Sequence, residues 1–192
     1  DREEAMKLLQ EAGYPGGRGL PPVVFRLPEG EATRRTAAIM AAAWKEAGIE
    51  SEIHAYPYPA YFDVLKKSDY ALGTITWIGD FADPLAFLQM WTSSSNLNDG
   101  RYANPAYDAL LEKSVKQSGT ERYKTLSEAE SLLLAGAAVL PISHSPAINL
   151  IDLHYIDGWY RNPLDIHPFK HLSFAPYRPL PGVVRFEGFS PL

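Results

Sequence analysis

Two aspartates, Asp80 and Asp83, lie three residues apart in a segment that also carries aromatic and flexible residues, Trp77-Ile78-Gly79-Asp80-Phe81-Ala82-Asp83-Pro84. Two neighbouring carboxylates could act as a general acid and a general base, as in glycoside hydrolysis. However, Asp83 precedes Pro84, and proline is favoured at the first position of a helix. An aspartate in this place caps the helix by accepting hydrogen bonds from its first N–H groups. Asp80 therefore remains as the residue available to contact a ligand.

The histidines suggest two other kinds of chemistry. His167 and His171 are spaced i, i+4 and follow His154 in the sequence, which raises the question of a metal site. No glutamate follows His167 as it does in the zinc protease motif, so no metal is expected. His144 lies in a Ser-His-Ser run that ends at Ser145, but a catalytic triad needs a third group that the sequence does not identify. We expect a packed or ligand-facing histidine here.

The composition limits the class of protein. The 192 residues have a net charge of -5 and 46% hydrophobic residues, which is ordinary for one soluble globular domain. Lysine and arginine are scattered, so no nucleic-acid partner is expected. The sequence has no cysteine and no apolar run near the roughly 20 residues that cross a bilayer. Its aromatic content of 12% suits either a binding surface or an aromatic-rich core.

Regular elements must position these residues, and the hydrophobic pattern predicts an alternating order of helices and strands. The predicted helices are 3–12, 32–47, 61–67, 84–91, one that starts at Asn104, and 120–134. The predicted strands are 23–27, 49–56, 69–78, 139–145 and 147–153. The order strand, helix, strand over residues 23–56 favours a βαβ unit with parallel strands. The third strand ends in the motif that carries Asp80.

The helices are expected to turn apolar side chains inward. The expected buried residues are Phe62, Leu65, Tyr107, Leu110, Leu111, Val115, Tyr123, Leu126, Ala129 and Leu133. Beyond Asp157 and Gly158 the chain is irregular and rich in proline and aromatic residues. This tail either wraps the domain or covers a surface outside the chain.

Five segments, in this order, resemble the second lobe of extracytoplasmic solute-binding proteins of the peptide, nickel and oligosaccharide class, which serve ABC importers. They are the helix 4–14, the W-K-x-x-G-I end at 44–49, the W-x-x-D-Y-x-D-P signature at 77–84, the N-x-G-x-Y-x-N-P-x-Y-D signature at 98–108, and Ala129-Glu130 followed by Leu140-Pro141-Ile142. Any one of these matches would be weak, but the ordered series is specific.

This resemblance implies an α/β fold: a periplasmic-binding-protein-like lobe whose mixed, mostly parallel sheet is flanked by helices, with an irregular C-terminal segment. Residues 1–142 would form the core of the lobe, and residues 143–192 would return to a first lobe that is absent from the chain. Such lobes close around a ligand by hinge bending. The implied partners are the first lobe, a small solute and the importer's membrane permease, in an extracytoplasmic location, with a lipid anchor as one option. Neither catalysis nor a cofactor is expected.

The resemblance also implies roles for single residues in peptide binding. Asp80 matches the carboxylate that pairs with the α-ammonium group of a peptide, and Trp77 matches the aromatic residue beside it. Residues 72–76 match a strand edge whose backbone pairs with an extended peptide. Thr74 stands where some members have an arginine for the C-terminus of the ligand. The candidate ligand-binding residues are Tyr58, Thr74, Thr76, Trp77, Gly79, Asp80, His144 and Ser145.

Two alternatives remain open at this point. The same fold could bind another solute, with Trp77, Tyr58 and Trp91 stacking on an oligosaccharide, or with His144, His154 or His171 touching nickel or haem. Less favoured is a hydrolase that uses Asp80, Asp83 or His144.

Overall fold

The computed structural model describes residues 1–67, 70–144, 146–162 and 164–178. The helices are α1 (Arg2–Glu11), α2 (Glu31–Glu46), α3 (Tyr58–Lys67), α4 (Leu85–Leu88), α5 (Pro105–Val115) and α6 (Gly119–Ala135). The strands are β1 (Val23–Pro28), β2 (Ser51–Tyr56), β3 (Leu72–Gly73), β4 (Ile156–Asp157) and β5 (Ser173–Phe174). Short 3-10 turns lie at Pro15–Gly17, Gln89–Trp91 and Phe169–His171. Among the residues described, no helix is both long and apolar enough to span a membrane.

The strands β1, β2 and β3 form a parallel sheet in the order β2-β1-β3. Phe25 of β1 aligns with Ile53 of β2 and with Leu72 of β3. The predicted βαβ unit with parallel strands is therefore confirmed. Since parallel strands share one direction, their carboxyl ends all lie at the same edge of the sheet.

The backbone at the end of helix α2 contacts the backbone of the loop after α1 closely. Gly48 follows the helix with φ +89°, the left-handed conformation that glycine adopts at helix ends. A Cβ atom on Gly48 would lie 2.4 Å from the carbonyl oxygen of Gly16, and one on Gly17 would overlap the carbonyl of Gly48. Only glycine therefore fits on both sides, and the contact holds the loop after α1 against the end of α2.

Two apolar clusters support the fold. The first lies between the sheet and α2 and contains Phe25, Leu27 and Ala37, with Met40 and Trp44 packed against it. The second joins α4, α5 and α6 and contains Leu88, Tyr107, Leu111, Leu126, Ala129 and Leu133. Tyr107 is fully buried, and its hydroxyl donates a hydrogen bond of 2.6 Å to the carbonyl of Leu88. This burial raises the pKa of the Tyr107 hydroxyl well above its usual value.

Three residues that were expected inside are exposed: Phe62, Val115 and Tyr123. Helix α3 begins earlier than predicted, and its buried pair is Tyr61 and Leu65, at i, i+4 spacing. In α5 the buried face continues from Leu111 to Ser114, so Val115 points away. In α6 the first buried residues are Thr125 and Leu126, so Tyr123, which precedes them, is exposed.

The prediction of a third strand over residues 69–78 was too long, because β3 contains only Leu72 and Gly73. Asp69 lies outside the described residues. The hydrogen bonding between β3 and β1 stops after Gly73. The backbone N–H and carbonyl of Thr74 bond the hydroxyl of Tyr61 rather than a neighbouring strand. The regular part of the sheet therefore ends before the motif begins.

The predicted strands 139–145 and 147–153 were wrong, because their described residues form no strand. Their apolar side chains Leu140, Ile142, Ile148 and Leu150 are exposed. An alternating or continuous apolar pattern predicts a strand, but a strand also needs a neighbour to pair with. The regular structure found further along is the short antiparallel pair β4 and β5.

Candidate ligand-binding site

The candidate site lies where the carboxyl ends of the parallel strands meet, the edge at which open α/β sheets bind ligands. Tyr58 starts α3 just after β2, and Thr74 follows β3 directly. The Tyr61 hydroxyl of α3 links β1 to the residue after β3. It lies 3.0 Å from the carbonyl oxygen of Arg26 and 2.7 Å from that of Thr74. It also accepts a hydrogen bond of 2.7 Å from the N–H group of Thr74. Burial raises the pKa of Tyr61 to about 12.

This bridge changes what the predicted peptide-binding edge can offer. The N–H of Thr74 is already used by Tyr61, so a ligand would have to bond elsewhere along residues 72–76. Thr74 is half-buried, whereas Thr76 is exposed. The backbone pairing of a peptide at this edge stays a prediction.

Trp77 and Gly79 fix the start of the turn against α4. The Trp77 indole Nε1 donates a hydrogen bond of 3.0 Å to the carbonyl of Ala86. Gly79 is buried, and a Cβ atom there would lie 3.0 Å from the Phe87 ring and 3.4 Å from the Ala86 side chain. Gly79 therefore allows a close approach of the turn to α4, and a side chain there would have to push the Phe87 ring aside.

Asp80 lies at the exposed part of the turn. Within the part of the chain that the structure describes, its carboxylate has no hydrogen bond and no ion pair. An exposed carboxylate without a partner is a full negative charge that a cationic ligand can pair with. The environment of Asp80 thus differs from that of Asp83.

Asp83 has the capping role predicted from its sequence position. Its Oδ1 atom accepts a hydrogen bond of 2.9 Å from the N–H of Leu85, and its carbonyl accepts one of 3.0 Å from Ala86. Its carboxylate also forms a bidentate ion pair with Arg122 of α6, with N···O distances of 2.6 and 2.8 Å. The Arg122 guanidinium lowers the pKa of Asp83 below 3.8. An aspartate that stays ionised at neutral pH cannot serve as the general acid of a catalytic pair.

Tyr58, His144 and Ser145 are not part of this turn. Tyr58 is 63% exposed, and its ring meets Phe62 edge to face at a centroid distance of 5.1 Å. His144 is exposed in the segment that forms no strand, and Ser145 lies outside the described residues. Of the candidate residues, Thr74, Thr76, Trp77, Gly79 and Asp80 thus lie on one irregular stretch of chain after β3.

Two other histidines, His154 and His167, pair with aspartates near them in sequence. His154 lies 3.0 Å from Asp152, and His167 lies 2.9 Å from Asp165. In the ranges that the structure describes, no group of three or more metal-ligating side chains could hold a metal ion. These pairs instead lie on the irregular C-terminal segment.

Sequence reasoning missed two residues that shape the site, Tyr61 and Arg122. Tyr61 lies 13 residues from Thr74 and Arg122 lies 39 residues from Asp83. A local pattern carries no signal for such pairs, because only the fold brings them together.

The fold and site define an α/β solute-binding lobe, and the comparisons with known proteins agree. The oligopeptide-binding protein OppA of Haemophilus influenzae, solved in complex with the peptide RPPGFSPFR, superposes on 90% of this chain. The TM-score is 0.78 and the identity 27%, over 34% of that structure. The model of the middle part of the bacterial extracellular solute-binding proteins, family 5, matches residues 1–99, just over half of the chain. The chain therefore belongs to the family 5 bacterial extracellular solute-binding proteins.

Two curated relatives have different ligands in their names. Heme-binding protein A of Haemophilus influenzae is 28% identical over 90% of this chain. The oligopeptide-binding protein OppA of Bacillus subtilis is 29% identical over 73% of it. The chain spans 32% and 26% of their lengths, respectively, or about a third of such relatives.

Proposed function

We propose that this chain is the second lobe of a solute-binding protein that delivers short peptides to an ABC importer. The observation that carries the proposal is Asp80, an exposed carboxylate without a partner in the described chain, held on a turn at the carboxyl edge of the sheet. Its charge would pair with the α-ammonium group of a peptide. Once the first lobe closes over the site and excludes water, this pair would gain strength.

The residues around Asp80 would contact the rest of the peptide. Trp77 is half-buried, and its indole N–H is already bonded to the carbonyl of Ala86, so its ring stays fixed beside the turn. Thr76 would offer its exposed backbone, and Tyr58 its exposed ring. A charge pair at one end with backbone contacts along the chain would fix the register of a peptide without selecting its sequence.

The complete protein would also need a first lobe and a membrane permease as partners. Residues 1–142 would form the core of the lobe, and residues 143–192 would return to a first lobe. The exposed apolar side chains beyond residue 139 support this division. The complete protein would act outside the cytoplasm and dock on a membrane permease, and a lipid anchor on a preceding segment would be one way to hold it there.

The name of one relative favours a second candidate ligand, haem. The relative named a heme-binding protein matches 90% of this chain. His144 is exposed and could approach an iron porphyrin from the segment after α6. Titration of the full-length protein with haem, followed by its absorption spectrum and repeated with His144→Ala, distinguishes this ligand from a peptide.

Calorimetric titration of the full-length protein tests the role of Asp80. The ligands are a short peptide with a free amino group and the same peptide acetylated at its N-terminus. In Asp80→Asn, affinity for the free peptide should fall about a hundredfold or more, because an enclosed ammonium loses its counter-charge. The acetylated peptide should bind wild type and variant with equal, weak affinity.

Asp63→Asn is the matched control, because Asp63 is an exposed carboxylate on α3 outside the turn. It removes the same charge and should leave both affinities unchanged. If Asp80→Asn binds the free peptide as tightly as wild type does, Asp80 is not the ammonium partner.

A further inference from the structure

We propose that Arg122 is a positioning residue for the ligand-binding turn, acting through Asp83 to hold Asp80 in place. This inference rests on the proposed function, because it assigns a support to the same carboxylate. Arg122 itself faces Asp83: the two side chains are 18% and 22% exposed and share two short hydrogen bonds.

The turn needs support from outside because it has no regular secondary structure of its own and only a local backbone hydrogen bond from Asp83 to Phe81. Residues 74–84 contain neither helix nor strand, and Asp80 lies in the middle of them. On one side, Trp77 and Gly79 are fixed to α4 by a hydrogen bond and close packing. On the other side, Asp83 is fixed to α6 by Arg122. Asp80 is three residues from Trp77 and three from Asp83, so two anchors hold the loop that presents it.

The second anchor depends on the shape of the arginine side chain. Two guanidinium nitrogens, NH1 and NH2, bond the two carboxylate oxygens of Asp83, a planar fit that lysine cannot reproduce. The Oδ1 atom of Asp83 also accepts the N–H of Leu85, so one carboxylate joins the start of α4 to α6.

Helix α6 provides a rigid base for this contact. Leu126, one turn after Arg122, is buried in the cluster that also contains Leu88 of α4 and Leu111 of α5. The guanidinium thus projects from a packed element, whereas the turn that it holds is irregular. Without Arg122, Asp83 would keep its cap to Leu85 but lose the contact that fixes its orientation.

The test measures selectivity for the peptide's amino group, as the ratio of the affinities for a free-amino and an N-acetylated peptide. A loss of overall stability would lower both affinities and leave this ratio unchanged. In the full-length protein, Arg122→Gln should weaken binding of a free-amino tripeptide about tenfold, as loss of a supporting residue does at metal sites. Binding of the N-acetylated tripeptide should not change. Arg122→Lys should recover part of the selectivity, because lysine keeps the charge but not the second hydrogen bond.

The background variant Asp80→Asn separates this inference from the proposed function. There, Arg122→Gln should have no further effect on either peptide. If Asp80→Asn alone leaves binding unchanged, the proposed function fails. If Asp80→Asn weakens binding and Arg122→Gln does not, or weakens both peptides equally, the positioning role is overturned.

Arg122→Lys decides the matter if Arg122→Gln does not fold. Selectivity between that of wild type and of Asp80→Asn supports the role, and selectivity equal to wild type overturns it. Arg101→Gln is the control, because this exposed arginine has no carboxylate partner in the described chain and bonds only the carbonyl of Lys67.

Discussion

At the scale of single residues, the two aspartates of the motif have different chemistry because their surroundings differ. Asp83 is bonded to Arg122 and to the start of α4, and its pKa is lowered by that arginine. Asp80, three residues earlier, is exposed. The same side chain therefore builds the turn in one case and is presented by it in the other.

Tyr61 is the residue that joins the ends of two strands at the site. Tyr61→Phe should lower the free energy of unfolding by about 1–3 kcal/mol, because the partly buried N–H of Thr74 loses its acceptor. Urea unfolding of the full-length protein measures this change. Tyr123→Phe is the control, since Tyr123 is exposed and should tolerate loss of its hydroxyl. Equal losses in both variants would contradict a structural role for the Tyr61 hydroxyl.

The sequence predicts residue roles that depend on near neighbours and misses those that depend on the fold. The cap at Asp83 was predictable because its partner, Leu85, is two residues away. Neither Tyr61 nor Arg122 was, because each bonds a residue that only folding brings close. Phe62 was expected inside because it is apolar. The buried face of α3 instead carries Tyr61 and Leu65, so Phe62 is exposed.

At the scale of elements, the helices predicted from the sequence up to α6 are present, as are the first two strands, but the helix predicted over 84–91 is α-helical only at Leu85–Leu88 and continues as a 3-10 turn. Their patterns are local, and their caps and end signals are strong, as at Asn104, whose side chain accepts from the N–H groups of Ala106 and Tyr107. The third strand was overestimated because its β-branched run continues past Gly73, although its pairing with β1 ends at Gly73 and Arg26. Strand propensity can be read from one segment, but strand pairing depends on two.

The ion pair between α4 and α6 should make stability depend on acid pH. Because Arg122 lowers the pKa of Asp83 below its ordinary value of 3.8, the folded state binds this proton less readily than the unfolded state. The pair's contribution is therefore complete above about pH 4 and is lost as pH falls through the lower, folded pKa.

Urea unfolding of wild type and Arg122→Gln at pH 7 and pH 2.5 measures this effect. The variant should be less stable at pH 7, and the difference between the two proteins should shrink at pH 2.5, because acid pH favours the protonated form of Asp83, which cannot form the ion pair. Other carboxylates, such as Asp152 and Asp165, also have lowered pKa values, but they contribute equally to both proteins. A difference that stays constant with pH would contradict the assignment.

At the scale of the whole molecule, the chain divides into a packed part and an open part. Among the described residues, the buried apolar side chains all lie at or before Leu133, and most of them belong to two clusters. From residue 140 onward, large apolar side chains are exposed: Ile148 is 82% exposed, Leu150 98%, Phe169 85% and Phe174 89%. The sequence could not predict a fold for this part, because its apolar residues have too few partners within the chain.

An apolar segment of this kind predicts a covering surface in the complete protein. If the proposed first lobe buries Leu150, then Leu150→Ser in the full-length protein should lower the free energy of unfolding by about 2 kcal/mol, the value of one buried leucine. Ile39→Ser is the matched control, because Ile39 is 66% exposed on α2, within the packed part. It should change stability by less than about 0.5 kcal/mol. Equal, small effects of both substitutions in denaturant unfolding would mean that the open part stays uncovered, and residues 143–192 would then not return to a first lobe.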